Sequence, residues 1–461
     1  VEPEVARVPS HLPAPAAFTW KEQRFIGEGR SALDDSVPRY RLILGDLHEV
    51  PAHVHQVLAS DGFVGRLAFD ADEDYSAYVD KVLRWEKAPS AARQPAARLY
   101  TVRDGTAATT AGAEHLMGAL NDSLQDKWAM GTVPLSSLES HGERAPDRDA
   151  FVRVARQVEA GIVFSLSHGL GAPDDGWQDA DRMYRLQGAM SFGDDGWLEG
   201  RDVAKGAFAP GSLWFMFACF GAGTPGESAY HQWLKLLAEE GESDAREVAA
   251  VLESLPKRVG GRPFIARLPK QALANPDGPL GFVGHIDLAW TYSFQRLDQK
   301  VRARPGKFTD LVKHAARTDR FGIAFDALYH GLVDVDSQLN EVQRVIERGE
   351  QPRLSRADRG HLWMLRQDLM GYVLLGDPAA RLPLANTAEA PRPVASEPIG
   401  DPTEVEGLED IEHAIIDALR NPSKMEQTAE MYELAASDLK RWAEAYRAAG
   451  RRALAGLLRG R

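Results

Sequence analysis

FSLSHGLG (residues 164–171) and LWFMFACFGAG (residues 213–223) are short apolar runs closed by glycine, and each delivers one reactive side chain at its end: His168 and Cys219. Runs of this length and composition, stopped by glycine, read as buried strands of a parallel sheet. In such sheets ligands bind beyond the carboxyl ends of the strands. The chain therefore offers a thiol and an imidazole at one edge. A cysteine nucleophile needs a nearby base to form thiolate near neutral pH, which is what this pairing would supply. Free cysteine is otherwise among the most buried residue types, and the Leu-Trp-Phe-Met-Phe before it could make Cys219 a packing residue. Its placement is the distinguishing feature: it follows the apolar stretch and precedes Gly221, Ala222 and Gly223. His168 is placed the same way, and Gly169 behind it lets backbone N–H groups approach a substrate carbonyl.

Around these runs the sequence alternates strand and helix. RLYTV from Arg98 opens a main domain, and helical stretches such as DAFVRVARQVEAG and AYHQWLKLLAEEG separate the apolar strands. That order implies right-handed crossovers and an α/β fold, a mostly parallel sheet flanked by helices in three layers. Residues 96–384 form this domain. Residues 36–95 read as a smaller α/β subdomain that precedes it, with the strand YRLILG and a helix whose Tyr75, Tyr78, Val82 and Trp85 share one apolar face. Residues 1–35 are rich in Pro and Ala with little periodicity and are expected to lie against the surface or to be partly mobile. Residues 385–404, with four prolines, read as an extended linker, and residues 405–461 as about three helices.

With 461 residues and 44% hydrophobic content the chain can bury more than one core. A single cysteine excludes an intramolecular disulfide and fits a reducing compartment, so a cytoplasmic location is expected. No apolar run approaches the length of a membrane span, so no membrane partner is expected, and the N-terminus lacks the regions of a signal peptide. Val1 is not an initiator methionine, so a processed chain or a fragment is expected. The net charge of −13 argues against nucleic-acid binding by the chain as a whole.

Taken in order, the segments resemble clan CD cysteine peptidases, the caspase-like family that includes gingipains and the CHAT domains of bacterial signalling proteins. The family's His-Gly pair is matched by His168 and Gly169, and its cysteine after an apolar strand by Cys219. GPLGFVGHIDLAWTYSF (278–294) is similar to the strand after the cysteine segment, and YVLLGDPAARLPL (372–384) to the closing strand. YRLILGDLHEVP (40–51) and VGRLAFDADEDYSAYVDKVLRWE (64–86) are similar to the subdomain that precedes the catalytic one. The resemblance spans about residues 36–385. It implies an endopeptidase without cofactor or metal in which His168 and Cys219 form the dyad. It also implies that the N–H groups of Gly169 and Cys219 stabilise the oxyanion and that loops after these strands select the P1 side chain. Asp174, Asp175, Asp194 and Asp195 lie in acidic loops after His168, and Asp287 and Trp290 follow the next strand. A basic P1 residue is preferred, since a buried Lys or Arg needs a charge partner; the same aspartates also suit ordinary turns.

The tail 427–457 resembles helix-turn-helix units of transposase-type proteins, with Lys440, Arg441 and Arg447 on the second helix as candidate contacts. From Thr403 to Arg461, however, nine Lys or Arg face eleven Asp or Glu, so a helical adaptor that recruits a regulatory protein is favoured over DNA binding.

Three other patterns compete. Gly221, Gly223 and Gly226 match the G-x-G-x-x-G spacing between an apolar strand and a helix, but Pro225 stiffens the loop and no acidic strand end follows at the required distance. His48, His53 and His55 cluster, but Pro51 interrupts them and places them in a surface loop rather than on a zinc-binding helix. His285, after LGFVG, is a second-choice base. The alternative to an active peptidase is a catalytically silent scaffold of this fold, with the function carried by the helical tail.

Overall fold

Eight strands pair into one sheet: β1 (Tyr40–Leu44), β2 (Phe63–Leu67), β3 (Ala96–Thr101), β4 (Ser137–His141), β5 (Ile162–Leu166), β6 (Leu213–Phe217), β7 (Gly281–His285) and β8 (Tyr372–Gly376). Their order across the sheet is β1-β2-β8-β7-β6-β5-β3-β4. The computed structural model describes residues 5–10, 12–26, 37–142, 146–173, 176–241, 251–252, 262–296, 302–385, 429 and 439–440.

From β4 to β7 the neighbours are parallel. In β5 and β6 Leu166 stands opposite Phe217, and on the other side Leu166 stands opposite Thr101 of β3. The carboxyl ends of β3, β5 and β6 are therefore level, with that of β7 at the same edge. Only local periodicity was needed to see these strands, because each of β5 to β8 is buried along its whole length. The last strand, β8, runs antiparallel to β7 with Tyr372 opposite His285, and meets β2 through the pair Leu375–Arg66. By that pair the strands of residues 36–95 join the main sheet.

Two apolar clusters cover the two faces, and the period of two along each strand sorts side chains between them. Phe164 and Phe215 stack at 4.3 Å between centroids on one face, with Phe308 of helix Gly306–Ala316 against both. Trp214 points to the other face, where it meets Phe151 of helix Arg148–Arg156, Phe208 and Phe282. The result is the three-layer α/β sandwich expected from the strand and helix order.

The N-terminal segment contains a helix that packs on the strand-helix unit after it. Residues Ala14–Lys21 are helical, and Leu12 and Ala17 pack with Ile43, Val50 and Val54. Pro13 and Pro15 sit at the start of this helix, where the missing N–H groups have no helical acceptor to lose. The histidine cluster does not lie in a surface loop as expected. Pro51 caps helix Ala52–Ala59 instead of interrupting a loop; His53 and His55 lie on that helix and His55 is fully buried.

The chain forms two compact units, residues 1–387 and 388–461. In the second, Ala429 and Leu439 are helical and buried, and Lys440 is helical and exposed. The rest of the proposed linker and helix-turn-helix, including Arg441 and Arg447, lies outside the described residues apart from Ala385. Among the described residues no helix is long and apolar enough to cross a membrane.

Candidate active site

His168 and Cys219 each lie two residues beyond the ends of β5 and β6. The segments are closer than strand pairing alone requires: a Cβ built on Gly169 would lie 1.7 Å from the Cys219 carbonyl oxygen and 3.2 Å from its nitrogen. Only glycine allows that approach. Just beyond, Phe220 holds a left-handed φ of 56°, and its N–H donates to the Asp287 carbonyl at 2.8 Å. Backbone strain of this kind at a non-glycine residue persists only where its surroundings impose it. The Gly169 and Cys219 N–H groups make no backbone hydrogen bond among the described residues.

A carboxylate and a hydroxyl that the sequence reading passed over complete the imidazole's surroundings. Three residues after β3, Asp104 Oδ1 accepts from the Thr106 N–H (3.2 Å), the Thr106 hydroxyl (2.9 Å) and the Thr109 hydroxyl (2.6 Å). Thr106 Oγ1 in turn lies 2.8 Å from His168 Nε2, and Asp104 Oδ2 is 3.9 Å from the same nitrogen. Burial pushes the Asp104 carboxyl up, but the hydrogen bonds from Thr109 and Thr106, helped by His168, outweigh it and leave the group below its ordinary value. A carboxylate accepts only, so the Thr106 hydroxyl proton is drawn toward Asp104 and its lone pair toward His168. Nε2 then carries the ring proton and Nδ1 is free to accept one. The segment DGT after an apolar strand was the available signal.

Cys219 keeps some exposure, and its thiol donates to the Ala289 carbonyl at 3.8 Å. Burial pushes the thiol up to about 11; the Ala289 bond opposes this, while Asp287 and Asp368 reinforce it. No hydrogen bond joins Cys219 to His168 among the described residues. In this arrangement the sulfur is protonated at neutral pH.

Asp287 and Trp290 do lie beside Cys219, in the loop that bears Ala289. Asp287 is buried, and its carboxyl accepts from the N–H groups of Leu288 (2.8 Å) and Ala229 (3.1 Å) and from the Ser228 hydroxyl. The Trp290 N–H donates to Asp368 Oδ1 at 2.8 Å and the Ser293 N–H to Oδ2 at 2.8 Å. Asp368, on helix Arg356–Met370, thereby clamps the loop; it too was missed, since nothing in that helix's sequence distinguishes it. Burial pushes both carboxyls up to about 7.

Asp194 and Asp195 occupy the exposed turn Gly193–Asp195, where Asp195 accepts the Arg148 N–H at 2.8 Å. Asp174 and Asp175 lie outside the described residues. His285 is fully buried; Nε2 faces the Asp368 carbonyl at 3.0 Å and Nδ1 accepts the Asp287 N–H at 3.1 Å, so neither nitrogen is available as a base. Gly223 belongs to a two-stranded ribbon, Gly223–Thr224 with Phe264–Ile265, rather than opening a helix. The next helix begins at His231, so the dinucleotide spacing lacks its structural context. Among the described residues no three His, Cys, Asp or Glu side chains gather as metal ligands.

No family model matches the chain, and no curated protein does. Solved structures do resemble it. One described as the structure of a protease shares 10% identity over 81% of this chain and 70% of its own, with a TM-score of 0.44. The Arg-specific cysteine proteinase gingipain R (RgpB) shares 13% over 81% of this chain and 69% of its own, at 0.40. The complex of Porphyromonas gingivalis RgpB pro- and mature domains shares 12% over 80% of this chain and 70% of its own, at 0.42.

Proposed function

We propose that this chain is a caspase-like cysteine endopeptidase, with Cys219 as nucleophile, His168 as base and Asp104 orienting the imidazole through Thr106. The observation that carries the reading is the packing of Gly169 on the Cys219 backbone, which sets thiol and imidazole segments side by side at one sheet edge. The sulfur turns from the Ala289 carbonyl and gives its proton to His168 Nδ1. The thiolate attacks the scissile carbonyl, and the N–H groups of Gly169 and Cys219 receive the oxyanion. The imidazolium then protonates the departing amine, and water, deprotonated by His168, cleaves the acyl-enzyme.

A basic P1 residue is our preferred substrate feature, with residues 405–461 recruiting a regulatory protein in a reducing, cytoplasmic compartment. DNA binding by the tail ranks below this. The competing reading, a silent scaffold, is favoured by one observation: the thiol is raised and bonded away from His168.

Acyloxymethyl ketone probes with Arg, Lys, Asp or Leu at P1, read by intact mass, separate the two. Labelling that vanishes in Cys219→Ala and falls sharply in His168→Ala supports the dyad and identifies the P1 class. Absence of labelling by every probe, with the thiol still open to iodoacetamide, supports the scaffold.

A further inference from the structure

Asp287 has a second setting besides its place near the nucleophile. The residue lines a cavity of 330 Å³, within the size range of small-ligand sites. Leu47, Pro225, Pro263 and Ile286 supply apolar walls, and Glu227 stands with Asp287 as a second acid. Among the described residues no lysine or arginine lines this cavity. The three donors to Asp287 are all neutral, and among the described residues no cation pairs with it. Buried charged groups are ordinarily paired, and other buried carboxylates here are: Asp46 holds Lys270 at 2.7 Å and Glu199 holds Arg201 at 2.8 Å. Asp287, like Asp368, is held by neutral donors alone, and of the two it is Asp287 that lines the cavity.

We propose that this cavity binds an alkyl-guanidinium or alkyl-ammonium group, with Asp287 as its counter-ion, Glu227 at its entrance and the apolar walls around the alkyl stem. Its effect would reach Cys219 by two routes. The Asp287 carbonyl holds the Phe220 N–H, next to the cysteine, at 2.8 Å. The Asp287 charge also adds to the burial that keeps the thiol protonated, so a cation paired with it favours thiolate. The cavity is thereby an activation site for the proposed nucleophile. That consequence rests on the peptidase reading, whereas cation binding does not.

The test uses agmatine and cadaverine with the full chain. Calorimetry on Cys219→Ala reads binding without any activity, and iodoacetamide alkylation of the single thiol reads coupling. Saturable binding, weakened about tenfold in Asp287→Asn, is expected, equivalent to about 1.4 kcal/mol for the lost charge-assisted bond. Glu227→Gln, at an exposed position, should weaken binding without affecting the fold. In the wild type, alkylation should accelerate severalfold at pH 8 and its pH midpoint should move down. Competitive inhibition of an Arg peptide by agmatine would assign the cavity to a substrate side chain. Acceleration of cleavage would assign it to a free effector. Absent binding, or binding equal in wild type, Asp287→Asn and Glu227→Gln, overturns the proposal. Failure of peptidase activity with binding intact would count against the dyad alone.

Discussion

Replacing Gly169 with alanine tests the packing on which the proposed site depends. The added Cβ would lie 1.7 Å from the Cys219 carbonyl oxygen and 2.8 Å from its carbonyl carbon, both backbone atoms that cannot swing away. Ordinary contact is roughly 3.5 Å, so the two segments must separate by about 1.8 Å. Overpacking on that scale costs about 3 kcal/mol, at the upper end of the usual range. Because the displacement falls between imidazole and thiol, labelling of Cys219 by its best ketone probe should drop about 100-fold, the usual penalty of an ångström of misplacement. Gly171→Ala is the control: its Cβ would meet only the Phe220 ring edge at 3.8 Å, and both melting and labelling should stay near wild type. Thermal melting and second-order labelling rates of the two variants decide the matter. A Gly169→Ala protein that melts and labels like wild type would refute the claim that this contact sets the site.

Thr106→Val breaks the link between Asp104 and His168 at nearly constant volume; labelling should fall on the order of 10²-fold, with about 1 kcal/mol lost from the Thr106 N-cap of helix Ala107–Gly112. Labelling within twofold of wild type would remove Thr106 from the site. A second expectation concerns pH. Asp368, raised to about 7 in the fold against an ordinary value near 3.9, binds its proton more tightly folded than unfolded. It therefore costs stability as pH rises from about 4 to about 7, to at most about 4 kcal/mol. Asp287, also raised to about 7, acts with it, whereas His55 and His285, lowered by burial to about 3 and about 4, act in the opposite sense over the same window, so the wild-type curve should be shallow. The difference in melting temperature between Asp368→Asn and wild type should thus shift in favour of the variant from pH 4 to 7. A constant difference would show that Asp368 is ionised throughout.

Local periodicity and punctuation were sufficient to find β5, β6, β7 and β8 and to put His168 and Cys219 at strand ends. A strand buried on both faces must be apolar throughout, and glycine marks where it stops. The same rules misread Pro51, because proline breaks a helix interior but begins a helix well, and sequence alone does not say which side of the boundary it occupies. Tertiary structure decided what chain order leaves open. That β3 lies against β5 brings Asp104 and Thr106 to an imidazole 62 residues away from Thr106, and the packing of helix Arg356–Met370 behind the Ala289 loop turns Asp368 into its clamp. Strand order and helix docking follow from burying whole faces together, a property of the assembled chain that no single segment encodes.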